Sequence, residues 1–162
     1  MKKYFVICLL AFTLPAIKLS AQQTDSAVQL PPVTVTTLSS VNQQVDKSFT
    51  KAFPEAHDLK WYKMDEDYLA KFIKDDMEHN ALYKKNGYLK YDVASGYEHN
   101  LPENIRQDIQ AAYPDFKIIK VFNVKEEGRD IWVVNLESVK NYVLVRSENG
   151  EIEEVKRLAR AD

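Results

Sequence analysis

Val41-Asn-Gln-Gln-Val45-Asp-Lys-Ser-Phe49-Thr-Lys-Ala52-Phe53-Pro54 is matched sixty residues later by Leu101-Pro-Glu-Asn-Ile105-Arg-Gln-Asp-Ile109-Gln-Ala-Ala112-Tyr113-Pro114. The apolar positions of the two stretches coincide. Spacings of four, four, three and one put each set on a single helix face, so 41–53 and 101–113 read as equivalent amphipathic helices. Ser40 with Gln43, and Asn100 with Glu103, stand where a capping box would open each helix. Pro102 suits a first turn, and Pro54 and Pro114 stop continuation.

Working outward, 59–62 matches 119–122 at the same offset, after which Asp67 matches Asp130 and Asn86-Gly87 matches Asn149-Gly150 at an offset of sixty-three. The three extra residues are expected in the turn at 125–128, because insertions cost least in a hairpin loop. Short β-branched and aromatic runs at 59–64, 68–74, 81–85 and 88–93 recur at 117–124, 131–136, 142–147 and 151–156, and Asn-Gly is a strong tight-hairpin signal. The expected fold is α+β, a tandem duplication of a helix packed on a four-stranded antiparallel sheet. The first repeat spans 41–98 and the second 99–162. A unit of this size is marginal alone, so the two should pack together. Residues 94–100 are read as the connection between them.

Before the repeats, Met1-Lys2-Lys3, an apolar run over 4–17 and the small residues Ser20-Ala21 read as a secretory signal peptide, 1–21, cleaved after Ala21. The run is too short to span a bilayer. Cys8, the only cysteine, leaves with the signal, and with it go disulfides, thiol nucleophiles and thiolate metal ligands. The expected address is periplasmic or secreted, with no stable membrane anchor. Residues 22–40 read as a flexible leader, in which 33–38 also has the β-prone composition of an added edge strand. The 162-residue chain has 22 Lys and Arg against 24 Asp and Glu, which argues against a basic nucleic-acid binder.

Chemistry is sparse. There is no Gly-x-Ser-x-Gly, no Gly-rich phosphate loop and no histidine pair at zinc spacing, so no catalytic residue and no cofactor is assigned. Ser95 precedes a glycine, but in a stretch whose composition is that of a turn. Asp75, Asp76, Glu78 and His79 form the one dense cluster of metal-ligand types; a solvated hairpin tip is the better account of them, since charged turns are ordinary and no Gly supplies a tight metal loop, and divalent-cation or small-ligand binding stays the alternative function.

The combination of Phe53-Pro54, Trp61, Tyr68-Leu69-Ala70-Lys71-Phe72, Asn86-Gly87, Leu101-Pro102, Tyr113-Pro114 and Asn149-Gly150 resembles the β-lactamase-inhibitor-like, PepSY-like family of secreted bacterial proteins, across 41–156. The resemblance implies a tandem helix-plus-sheet fold, a periplasmic address and an inhibitor-like or ligand-binding role. It transfers no activity residue by residue, since the shared positions make the fold. It also meets a departure: the family's inhibitor is disulfide-bonded, and this chain lacks cysteine after its signal.

The remaining candidate is the wet sheet face. If Leu59 and Trp61 point at the helix, alternation turns Lys60, Tyr62 and Met64 outward, with Lys120, Phe122 and Val124 outward in the second copy. Aromatic groups framed by lysines suit a protein- or peptide-binding patch, of which Lys60, Tyr62, Met64, Lys120 and Phe122 are the expected contacts. The other arrangement of such a face is cover by the second unit's sheet or by a second copy.

Overall fold

The computed structural model describes residues 35–38 and 40–160. The segments read as signal peptide and as leader up to residue 34 lie outside the described residues. In chain order the elements are β1 (Val35–Leu38), α1 (Gln43–Ala52), β2 (His57–Met64), β3 (Asp67–Lys74), β4 (Met77–Tyr83), β5 (Leu89–Gly96), a 3₁₀ turn (Glu98–Asn100), α2 (Glu103–Ala112), β6 (Lys117–Glu126), β7 (Arg129–Glu137), β8 (Asn141–Glu148) and β9 (Glu151–Ala159).

The two helices have the same length and lie sixty residues apart, as their spacing requires. Each stops where the chain turns toward a proline: Phe53 N–H donates to the Phe49 carbonyl, and Tyr113 N–H to that of Ile109. Their starts differ from the expected capping boxes. Asn42, not Ser40, caps α1, its Oδ1 accepting from Val45 N–H at 3.0 Å. Pro102 takes the cap position of α2, while Asn100 closes the 3₁₀ turn, accepting from Tyr97 N–H and donating through Nδ2 to the Asp75 carbonyl.

All nine strands form one antiparallel sheet in sequence order. The two four-stranded sheets expected from the repeats are therefore not stacked. They join edge to edge, β5 pairing β6 from Tyr91↔Glu126 to Gly96↔Val121. The flexible-leader reading gives way at Val35–Leu38, which pairs β2 from Val35↔Met64 to Leu38↔Trp61. This short strand gives β2 what β5 gives β6: Leu38 stands opposite Trp61 as Gly96 stands opposite the repeat-equivalent Val121.

Three boundaries also move. β4 begins at Met77 rather than at 81, and β5 runs on through Ser95, which is strand and not connection. The extra residues of the second copy do not swell a loop. Both β2–β3 and β6–β7 turn through two residues, and β6 is ten residues long against eight for β2.

Cross-strand register places Trp61, Ala70 and Ala81 on one face, continued by Val121, Val134 and Val145. Both helices bury their stripes against that face. Under α1, Phe49 stands edge-on to Trp61 and Phe72 at 5.3 and 5.0 Å, with Phe53 at 5.5 Å. Under α2 the core is aliphatic, with Ile109 among Val121, Val134, Leu136, Val143 and Val145. The α1 side closes down on the Asn86-Gly87 turn. A Cβ at Gly87, where φ is +82°, would meet Ser48 Oγ at 2.6 Å and the Gln44 carbonyl at 2.7 Å.

A polar pair lies in the core face beside the aromatic cluster. His79 stacks on Phe72 at 4.8 Å and donates through Nδ1 to Asp92, 2.9 Å from Oδ2, with both side chains nearly enclosed. A carboxylate this deep requires such a donor. Burial, and then the negative Asp92, push the Tyr83 phenol upward, so that it stays protonated in the core.

Candidate functional site

The face opposite the helices carries no second layer among the described residues. Its composition follows from register. One row crosses the sheet as Lys60, Lys71, Asn80, Val93, Val124 and Ile131. The next runs Tyr62, Leu69, Leu82 and Tyr91, and a third Ile73, Glu78, Ser95, Phe122 and Val133. The face is apolar in its middle, and Leu82 and Ile131 are only 7% and 9% exposed on it through cross-strand packing alone.

Lys60, Tyr62, Met64, Lys120 and Phe122 all lie on this face. They do not form one tight cluster, because β2 and β6 stand four strands apart, roughly 19 Å at ~4.8 Å per strand. Leu59 departs from the expected alternation. A bulge between His57 and Lys60, with Asp58 in the left-handed region at φ 53°, leaves Leu59 38% exposed. The second repeat has the matching bulge between Ile118 and Lys120, and Ile119 is 39% exposed. Each bulge borders a depression. The first, about 660 Å³, is lined by Asp58, Leu59, Lys60, Tyr62, Lys71, Ile73, Glu78 and Asn80 among others. The second, about 220 Å³, is lined by apolar groups such as Ile119, Leu144 and Leu158, with Asn135, Tyr142 and Lys156.

Charge is treated differently at the two ends. On the second repeat, Arg129 forks onto Glu148 at 2.7 and 2.9 Å, and Arg146 lies 3.5 Å from both Glu148 and Glu153. The Arg129 guanidinium holds the Glu148 carboxyl below the usual range. On the first, Lys71 Nζ lies 5.3 Å from the ring centre of Tyr62; where the repeats join, Lys120 Nζ on β6 lies 4.5 Å from that of Tyr97.

Asp75, Asp76, Glu78 and His79 are not brought together. The two aspartates form the left-handed turn between β3 and β4, at φ 51° and 56°. Glu78 then points to the uncovered face and His79 to the core, where Asp92 occupies its Nδ1. Among the described residues no group of three or more His, Cys, Asp or Glu converges on a point. Sequence reading passed over Asp92, Lys71 and Asn80. The alternation of Leu69, Lys71 and Ile73 carries the signal for Lys71; only the pairing of β5 with β4 brings Asp92 to His79.

The architecture aligns with that of a BLIP-like protein from Bacteroides fragilis at a TM-score of 0.59 and 19% identity, over 77% of this chain and 92% of that one. The chain has the BLIP-like fold. A DUF2874 family protein from Bacteroides uniformis aligns at 0.54 and 13% identity, over 74% and 90%. A protein from Bacteroides eggerthii, provisionally named as periplasmic, aligns at 0.53 and 14% identity, over 74% and 89%. No family model and no curated protein matches the sequence. These likenesses establish the BLIP-like fold and leave the site to be argued from its own residues. No helix among the described residues is long and apolar enough to cross a membrane.

Proposed function

We propose that this protein is a secreted, non-enzymatic binding module that takes a protein or peptide on the uncovered sheet face, acting in an inhibitor-like manner on an extracytoplasmic partner. One observation carries the reading: a nine-stranded sheet with both helices on one side leaves a broad apolar and aromatic face without a covering layer among the described residues. An antiparallel sheet with one wet face ordinarily alternates to polar groups there. Here that face instead holds the half-buried Tyr62, Leu69, Tyr91, Phe122 and Val133 around a buried Leu82, with Lys60, Lys71 and Lys120 on the same face, the composition of an interface core with a charged rim. The name given to the Bacteroides eggerthii protein supports a periplasmic setting.

The test is a cross-linked capture from the host's periplasmic and secreted fractions with residues 22–162 as bait. One protein should be retained near stoichiometry by the wild type and lost with Tyr62→Ala or Phe122→Ala, while the melting temperature hardly moves. A partner that survives both substitutions, or no partner on a well-folded bait, contradicts the proposal.

A further inference from the structure

Lys60 and Lys71 stand directly opposite each other on the uncovered face. Like charges in that arrangement destabilise a strand pair. Among the described residues neither forms an ion pair that would offset this, and the contact given for Lys71 is with the Tyr62 ring. The pair is no by-product of a basic composition, because acidic groups outnumber basic ones, 24 to 22. The second-repeat position equivalent to Lys60 is Lys120, and opposite it stands the neutral Asn135.

The lysine pair borders the 660 Å³ depression at its Tyr62 end. Glu78, opposite Ile73, and Asp58, next to the His57 that pairs with Ile73, line the other end, and among the described residues neither forms an ion pair with a lysine. The depression is thus positive and aromatic at one end and acidic at the other. Resting on the binding role of this face, we infer that its Tyr62 end receives an acidic side chain of the partner, the carboxylate between Lys60 and Lys71 and the adjoining apolar residues on Tyr62 and Leu69. Such a carboxylate removes the lysine–lysine repulsion at the moment of binding, and charge-assisted hydrogen bonds from two ammonium groups fix its position.

A random phage-displayed peptide library selected on the exported chain tests this. The expected result is enrichment of peptides with Asp or Glu beside an aromatic or aliphatic residue. A synthetic peptide from that set should bind about 10-fold or more weakly to the Lys60→Gln/Lys71→Gln variant, keep its affinity for Lys60→Arg/Lys71→Arg, and weaken as salt rises. Enrichment of neutral or basic peptides displaced by Tyr62→Ala, or an affinity indifferent to the double glutamine variant, overturns the inference and leaves the binding role standing. No peptide retained above the Tyr62→Ala/Phe122→Ala background counts against both.

Discussion

The two repeats reach one backbone plan with different materials. The first is held by an aromatic cluster around Phe49 and leaves Lys60 and Lys71 opposed and unpaired; the second is held by aliphatic packing around Ile109 and ties its arginines to Glu148 and Glu153. The first repeat also closes more tightly, since α1 presses on Gly87, while at the equivalent Gly150 an added Cβ would meet nothing within 4 Å. Duplication preserved the helix–strand geometry, and specialisation went into side chains that the geometry does not need. The opposed lysine pair and the larger of the two depressions both lie in the first repeat.

The largest expected effect is in the cores. Phe49→Ala removes a ring that touches four other aromatic groups and should cost about 4 kcal/mol in denaturant unfolding, against about 3 kcal/mol for Ile109→Ala. The reverse order would break the comparison. Gly87→Ala should cost about 3 kcal/mol, from left-handed strain plus the clash with the α1 backbone, and Gly150→Ala only about 1 kcal/mol, from strain alone. Equal losses would mean that α1 does not seat on the turn. Asp92→Ala, which strands His79 Nδ1 in the core, should cost about 2 kcal/mol.

The smallest effect concerns the paired charges. Glu148 has its pKa lowered in the folded state by Arg129, so its contribution is present above the unfolded carboxylate pKa and is lost as pH falls through the folded one. Glu148→Gln should lower the melting temperature by no more than about 2 °C at neutral pH and leave it unchanged in strong acid. A loss that persists in acid would assign Glu148 a packing role instead.

The helices were legible because four-residue apolar spacing and a following proline need no tertiary context. The hairpin at Asn86-Gly87 was legible for the same reason, its turn chemistry being local. The union of the two sheets was not, since β5 meets β6 across an intervening helix and no period in either strand encodes that edge. The start of β4 was hidden because Glu78 and Asn80 belong to the uncovered face, so a strand half exposed read as a charged turn. Alternation named Tyr62 and Phe122 as outward residues but could not tell that they share one continuous face, nor that a bulge would expose Leu59. Lys71 became meaningful only when register set it opposite Lys60.

The most direct measurement is the acetylation rate of each lysine, read by mass spectrometry on the free protein and on the cross-linked complex. Lys60, Lys71 and Lys120 should react in the free protein and be protected in the complex, while Lys47 and Lys51 on α1 react in both. Protection of the α1 lysines by the partner, with the three sheet-face lysines still reactive, would contradict the assignment of the uncovered face as the binding surface.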